Sequence, residues 1–304
     1  MQSCHKIQPP RPKVSAQAVK ESIRQAVKEP IRMSAESNHE KTVGNPSGQR
    51  EEPEREDTVF FGYRRVTAAQ KEKLVTDHFD SIAGKYDFMN TLLSAGIHHL
   101  WKRQAVRILG LGPGDRVIDV CAGTGDLAIL ACRYLGPKGR VVLYDRNRAM
   151  MEAGRPKAAK RGLLGKISYV LGDAERIAAR DNSFDAAMVG FGIRNLTHIE
   201  KGFEEMHRVL KPGGRLLCLE FSTPVSPWFR RFYDFYSFRV MPFVGEILTG
   251  RRQAYTYLPE SIRLFPAPPA LSSLLERIGF DSVHFQRLTN GIAVIHTGLK
   301  KAGV

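Results

Sequence analysis

The chain has 304 residues, 46 Lys/Arg against 31 Asp/Glu for a net charge of +15, and 42% hydrophobic residues, the balance of a soluble globular protein built as one large domain or two. No apolar run approaches the ~18 residues needed to span a bilayer, no secretory h-region is visible, and Cys4, Cys121, Cys132 and Cys218 show neither C-x-x-C pairing nor metal spacing. Any membrane contact is therefore expected to be peripheral, the thiols to be buried in a reducing compartment, and no metal site is indicated.

The basic excess is unevenly spread. Residues 1–57 hold ten Lys/Arg and nine Asp/Glu, so +14 of it belongs to residues 58–304. A field of that size is either a solvated surface or an attraction for anionic lipid headgroups or nucleic acid. The first 57 residues are polar, poor in aromatics and carry runs such as Gly44-Asn45-Pro46-Ser47-Gly48 and Glu51-Glu52-Pro53-Glu54. They cannot bury enough apolar surface to offset ordering entropy, which predicts a disordered extension with at most a weak amphipathic helix over Val14 to Met33. Four Lys/Arg and no acid in the first twenty residues resemble a transit peptide superficially, and the acids from Glu21 onward weaken that reading. Met33 leaves open a later start codon.

From Lys71 to Arg107 the pattern is helical, in segments broken around Gly84 and Gly96, and predicts a lid ahead of the first strand of the sheet. Tyr86, Asp87 and Asn90 in it suit helix capping and packing as well as a site. His98 and His99, beside Trp101, read as packing or surface groups.

Val117 to Leu127, V-I-D-V-C-A-G-T-G-D-L, is the organising stretch. Its β-branched start is a buried parallel strand; Gly123 and Gly125 break it, and a helix is predicted from Leu127 to Leu135. Glycines there let a ligand lie against the main chain, and a helix N-terminus favours anions. Two carboxylates oppose a phosphate: Asp119 at the strand end and Asp126 just past Gly125 would repel it, and would suit a ligand carrying an amine or a sulfonium. S-adenosylmethionine carries both. G-T-G-D-L-A also fits the loose dinucleotide pattern G-x-G-x-x-A, a weak match by itself; the flanking acids argue against it. Strand Val141 to Tyr144 ends in Asp145, where a carboxylate can accept ribose hydroxyls. Strand Ile167 to Leu171 ends in Gly172-Asp173-Ala174, placed for an acid to meet an adenine amino group.

The turn Asp181 to Asp185 leads into a fourth strand, Ala186 to Val189, which ends at Gly190-Phe191-Gly192-Ile193-Arg194-Asn195. Ligands of open α/β sheets sit at the carboxyl ends of strands near the switch in strand order, so this loop should hold the methyl acceptor. A helix over Ile199 to Leu210 stops at Lys211-Pro212-Gly213-Gly214, and Leu216 to Phe221 makes a fifth strand. Glu220 at its end is either functional or half of a salt bridge. Trp228 to Phe243 interleaves eight aromatics with Arg230, Arg231 and Arg239: a helix buried all round, a wall for an apolar acceptor with arginines at headgroup level, or a stacking surface for nucleic acid. Phe265 to Leu275 reads as a helix and Phe280 to His296 as an antiparallel strand pair. The fold class is α/β, Rossmann-like, with a mostly parallel seven-stranded sheet, helices on both faces and that pair at its end.

Five blocks in order resemble the quinone-biosynthesis C-methyltransferases of the UbiE/MenG type, within the class I methyltransferases: F-x-x-I-A-x-K-Y-D-x-M-N at Phe79 to Asn90, G-I-H-H-L-W-K-R at Gly96 to Arg103, G-F-G-I-R-N at Gly190 to Asn195, R-V-L-K-P-G-G-R-L-L-C-L-E-F-S at Arg208 to Ser222, and A-Y-T-Y-L-P-E-S-I at Ala254 to Ile262. The resemblance covers Phe61 to about Lys300. It implies a catalytic domain over residues 58–304, with 71–107 as lid and 226–262 as an aromatic insertion on the substrate side. It departs in having Gly190 where the family commonly has serine, and Ile177-Ala178-Ala179-Arg180 where the family has a proline-rich turn.

What the resemblance implies is S-adenosylmethionine-dependent C-methylation of a polyprenylated quinol in menaquinone or ubiquinone synthesis. The enzyme would be cytoplasmic, peripheral to the anionic inner face of the membrane, with no specific nucleic-acid partner and with homo-oligomer or quinone-synthesis complex left open. Asp119, Gly123, Thr124, Gly125, Asp145, Asp173, Ala174 and Gly190 would hold the cofactor, and Asn90, Asn195, Phe232 and Tyr236 the acceptor. Arg194, a guanidinium that keeps its proton, would stabilise a phenolate and position a water. Asp87 and Tyr86 are the base candidates, Asp87 only if burial raises its pKa. Alternatives are a methyltransferase for another small aromatic, a nucleic-acid-binding or nucleic-acid-methylating protein, for which no N-P-P-Y follows strand four, and a non-catalytic scaffold.

Overall fold

The computed structural model describes residues 58–249 and 252–302; the extension and weak helix expected within residues 1–57 lie outside them. The described chain opens on an antiparallel hairpin, β1 (Thr58–Phe61) and β2 (Arg64–Thr67). Thr67 then caps α1 (Ala68–Ile82): its hydroxyl accepts the Gln70 N–H while the Gln70 side chain accepts the Thr67 N–H, a capping box that fixes where the helix starts. A single 3-10 turn at Ala83–Lys85 leads into α2 (Tyr86–Leu93), and α3 (Ile97–Ile108) follows a break at Gly96, whose φ of +76° an L side chain rarely adopts.

The sheet domain proper runs β3 (Arg116–Val120), α4 (Asp126–Ala131), β4 (Arg140–Asp145), α5 (Arg148–Ala159), β5 (Ile167–Leu171), β6 (Phe184–Gly190), α6 (Ile199–Val209) and β7 (Leu210–Phe221). After it come α7 (Pro227–Phe235), a π-helical turn at Tyr236–Val240, α8 (Met241–Thr249), α9 (Arg252–Leu264), α10 (Pro268–Ile278), β8 (Phe280–Leu288) and β9 (Ala293–Lys300). The seven strands order as β5-β4-β3-β6-β7-β9-β8, parallel except for β9 against β7 and β8 against β9. Strand order reverses at β3, which pairs with both β4 and β6, so the crevice at its carboxyl end is where such a sheet takes a ligand.

Side chains alternate across this sheet and make two cores. Val117, Leu143, Met188 and Leu217 face α3 and α4 through Trp101, Val106 and Leu127, while Ile118, Tyr144, Val189 and Leu216 face α6 and α10 through Phe203, Met206 and Leu271. Burial on both faces explains why the central strands read as unbroken apolar runs.

Two boundaries and one burial pattern stand apart from expectation. The helix after the glycine loop ends at Ala131, because Cys132 to Tyr134 tighten into a turn. The last strand of the parallel set begins at Leu210, not Leu216: Leu210 pairs with Phe184 and Arg215 with Ala186, so Lys211 to Gly214 bulge out between two paired stretches of one strand. The aromatic segment is not a helix buried all round, since α7 contains no buried residue. Among the described residues, no helix is long and apolar enough to cross a membrane.

Candidate cofactor and acceptor sites

Two cavities open at the carboxyl edge of the sheet. The first, about 1070 Å³ with its open mouth, is lined by the β3–α4 loop, the ends of β4 and β5, and α1 above them. The loop is held from both sides. The Asp145 carboxylate at the end of β4 accepts the Gly123 N–H at 2.7 Å and the Asn147 N–H at 2.7 Å. Asp119, almost completely buried, accepts the Ala128 N–H at 2.9 Å through one oxygen. Its other oxygen is enclosed and without a partner among the described residues. Burial, helped by the nearby Asp145 carboxylate, pushes the Asp119 carboxyl up to about 8. Burial also raises Asp145. Gly125 sits at φ +76°, and a Cβ there would come within 2.6 Å of the Leu143 side chain; the turn needs its glycine.

Asp119, Gly123, Thr124, Asp145, Asp173, Ala174 and Gly190 all line this cavity, with Asn195. Asp173 keeps its place through the Glu175 N–H at 2.9 Å. At Gly190 a Cβ would meet a Leu127 methyl at 2.7 Å, so Leu127 fills the space a serine there would need. Asp126 behaves unlike the acid expected beside a cationic ligand. Burial acts to raise it, but Lys102 at 2.7 Å and Lys157 at 2.6 Å outweigh burial and hold it well below the usual carboxylate range. Of the two acids flanking the loop, Asp119 alone keeps an unanswered acceptor for a positive group. Among the described residues His98, His99 and Asp126 gather ligand-type atoms within 4.8 Å of one another, yet the two lysines already neutralise that carboxylate.

The lid is fastened over this cavity by polar contacts. Thr124 donates to Asp87 at 2.7 Å and Lys157 pairs with Asp87 at 2.7 Å. Asn147 donates to Asp80 at 2.8 Å, and Arg146 pairs with Glu72 at 2.8 Å. Asp87 thus lies in a clamp joining α2, the glycine loop and α5, and is absent from the lining of the second cavity.

That second cavity, about 1620 Å³ with its mouth, is walled by α1, α2, α7, α9 and Phe191. Tyr86, Asn90, Phe232 and Tyr236 line it, and Tyr236 is steadied by donating to the Leu93 carbonyl at 2.7 Å. Arg194 lines it too, buried, with its guanidinium donating to Glu220 at 2.9 and 3.1 Å and lying 5.4 Å from the centre of the Phe221 ring. The Arg194 Nε is enclosed without a partner. Asn195 turns the other way into the first cavity and accepts the Tyr257 hydroxyl at 3.0 Å. Phe79, Tyr86 and Phe191 line both cavities. A small polar chamber therefore opens directly onto a larger aromatic one, the arrangement for passing a group from one ligand to another held in line.

Four positions at the site took a place that sequence reasoning had not assigned them. Glu220, read from the sequence as either functional or half of a salt bridge, is the counter-ion of Arg194, a partner the sequence did not name. Lys157 comes from α5, which no local motif marks as facing the site; Tyr257 of α9 lies in the Ala254 to Ile262 block, but nothing local pairs it with Asn195. His78 lies one residue ahead of the Phe79 block and lines the acceptor cavity.

The fold is shared widely: a [4+2]-cyclase, SpnF, superposes with a TM-score of 0.56 over 75% of this chain and 96% of its own at 15% identity. A SAM-dependent methyltransferase of Thermotoga maritima, described as a possible histamine N-methyltransferase, gives 0.53 over 74% and 99% at 20% identity. Likeness at that level speaks for the fold alone. Sequence likeness goes further. The ubiquinone/menaquinone biosynthesis C-methyltransferase UbiE of Pseudomonas putida strain GB-1 is 46% identical over 252 residues, 83% of this chain and 98% of its own. That of Idiomarina loihiensis is 45% identical over 245 residues, 81% and 98%. The profile of the ubiE/COQ5 methyltransferase family matches residues 66–300, so the chain belongs to that family and is an S-adenosylmethionine-dependent C-methyltransferase.

Proposed function

We propose that this chain methylates a ring carbon of a polyprenylated quinol, demethylmenaquinol or 2-methoxy-6-polyprenyl-1,4-benzoquinol, in menaquinone or ubiquinone synthesis. The observation that carries the reading is the junction of the two cavities: an acid-lined chamber meets an aromatic one at Phe79, Tyr86 and Phe191, with a buried guanidinium on the acceptor side. S-adenosylmethionine supplies an electrophilic methyl group. The Asp119 carboxyl, which lines the chamber and has no ion-pair partner among the described residues, suits its positive charge, Asp145 its ribose hydroxyls and Asp173 its adenine edge.

On the acceptor side, Arg194 is placed to stabilise a phenolate. Its charge is balanced by Glu220 on one side while the residue itself lines the acceptor cavity, and a positive group held beside developing negative charge in a water-poor site is worth more than in water. Asn90 and Tyr86 offer further polar contacts along the wall. The reading supported by α7 is that the prenyl tail leaves between α2 and α7 toward a bilayer. Trp228 and Phe232 are 71% and 63% exposed, Phe88 of α2 is 60% exposed, and Arg230 and Arg231 beside them face solvent, the mixture of aromatic and basic groups that suits an anionic lipid interface. On this reading the enzyme works in the cytoplasm against the inner face of the membrane.

Methyl transfer from labelled S-adenosylmethionine tests the proposal, with reduced demethylmenaquinone and reduced methoxy-polyprenyl-benzoquinone offered separately in detergent. Label on either quinol supports it and names the pathway. Cofactor binding with label on neither sinks the quinol assignment and sends the search to other small aromatics.

A further inference from the structure

The acceptor cavity has a chemical gap: among the described residues none that lines it is a carboxylate. Its ionisable or basic side chains are Arg194, the tyrosines Tyr86, Tyr233, Tyr236, Tyr255 and Tyr257, and two histidines, His78 and His98. Arginine keeps its proton, and burial raises the Tyr233, Tyr236 and Tyr257 hydroxyls further from ionisation. His98 is committed elsewhere, with Nε2 at 3.2 Å from the Thr91 hydroxyl and Nδ1 enclosed.

His78 offers a basic ring nitrogen, which the phenols do not, and is uncommitted where His98 is not. It comes from α1, the helix that roofs both cavities, with its ring 5.0 Å from that of Phe79 and 5.2 Å from that of Tyr257. Among the described residues no group hydrogen-bonds either of its ring nitrogens, and neither nitrogen is among the enclosed, unpartnered atoms. An imidazole with both nitrogens unused and reachable, on the wall that carries the Tyr257–Asn195 hydrogen bond, is built to meet a ligand.

We infer that His78 is the catalytic base that takes the proton from the acceptor's ring hydroxyl, an inference that rests on the quinol reading above. The O–H bond breaks, its proton goes to a His78 nitrogen, and the electron pair left on oxygen raises the density at the ring carbon. That carbon forms the new C–CH3 bond as the S–CH3 bond breaks, the pair of which stays on sulfur. The ring then loses its C–H proton to water, and the oxygen regains its proton from His78. One proton is released overall, and His78 ends as it began.

The electrostatics agree with that order. Burial, and then the Arg194 cation, push the imidazolium of His78 down to about 4, so the ring is neutral and able to accept at physiological pH. A phenolate formed between Arg194 and His78 then holds the imidazolium by an opposite charge. The charged and titratable groups that line the cavity with His78 are Arg194, with Glu220 behind it, the phenols Tyr86, Tyr233, Tyr236, Tyr255 and Tyr257, and His98.

The test uses the full chain and three proteins: wild type, His78→Phe and His78→Ala. Calorimetric S-adenosylmethionine binding comes first, to establish that the variants fold. With a reduced prenylated quinol, His78→Phe should lose about a hundredfold in kcat with the quinol KM little changed. Imidazole added to the buffer should restore part of the rate to His78→Ala and none to His78→Phe. A second readout needs no turnover: a naphthol carrying a short prenyl chain, bound to cofactor-free protein, should ionise at lower pH in the wild type than in His78→Phe, followed by its absorbance. The inference is overturned by a kcat within about fivefold of wild type in His78→Phe, by an Ala variant that imidazole does not rescue, or by equal naphthol titrations. A wild type that binds S-adenosylmethionine yet labels no quinol overturns the parent reading, and this inference falls with it.

Discussion

Glu220 at the end of β7 accepts two hydrogen bonds from Arg194 at 2.9 and 3.1 Å, and both side chains are almost fully buried. Burial raises the Glu220 carboxyl, and the Arg194 cation opposes that rise. Removing one member of such a pair strands a charge. Glu220→Leu or Arg194→Met should each cost about 3 kcal/mol or more in denaturant unfolding, whereas the double variant Arg194→Met/Glu220→Leu should recover most of that stability. Activity should not return in the double variant, which separates the fold role of the pair from the arginine's role toward the acceptor.

Asp119 predicts how cofactor affinity depends on pH. With its carboxyl raised to about 8 by burial, it is protonated in the cofactor-free protein at neutral pH. A bound cation favours the carboxylate, so binding expels a proton. Affinity should rise by up to about tenfold per pH unit toward pH 8 and level off above it. The same shift makes the cofactor-free fold lose stability as pH rises toward 8, because the unfolded chain ionises first. Calorimetry in buffers of different ionisation heat measures the released proton. Asp119→Asn should flatten the affinity profile and lower affinity throughout.

Gly154 on α5 lets that helix lie on the cofactor loop, since a Cβ there would come within 2.2 Å of the Thr124 carbonyl oxygen. Backbone cannot move aside as a side chain can. Gly154→Ala should cost about 1–3 kcal/mol and weaken cofactor binding. Gly84, where a Cβ would meet nothing within 4 Å, is the control: Gly84→Ala should leave stability unchanged or raise it by up to about 1 kcal/mol.

The Asp87 clamp should govern cofactor release more than chemistry. Its pair with Lys157 leaves the two side chains 39% and 24% exposed, so solvent screens it. Asp87→Ala should speed cofactor dissociation by up to about fivefold and leave single-turnover methyl transfer close to wild type, as stopped-flow fluorescence and rapid quench would show. A hundredfold loss in the single-turnover rate would instead make Asp87 the base.

The exposed face of α7 should bind lipid. Co-sedimentation with phosphatidylglycerol vesicles is expected to exceed that with phosphatidylcholine and to fall with added salt. Arg230→Glu/Arg231→Glu should abolish the preference, and Trp228→Ser should weaken binding to both. Equal recovery of wild type and variants would remove α7 from any membrane contact.

Much of this protein was legible along the chain, because the features concerned are local. The strand, glycine turn and acid of Val117 to Gly125, and the acids Asp145 and Asp173 at later strand ends, follow from backbone sterics and strand periodicity acting within a few residues. They were enough to fix the sheet and the class of ligand. Tertiary structure alone decided who faces whom. Asp126, an apparent cofactor acid, is neutralised by Lys102 and Lys157 from two separate helices, while Glu220 finds Arg194 across 26 residues. Asp87 turns to Thr124 and Lys157, and His78, one position before a recognisable block, turns to the acceptor cavity. Whether a charged side chain is paired, enclosed or free depends on what long-range packing brings within a few ångströms of it, and buried groups take the partners that offset their desolvation. Neighbours in sequence carry no record of that choice.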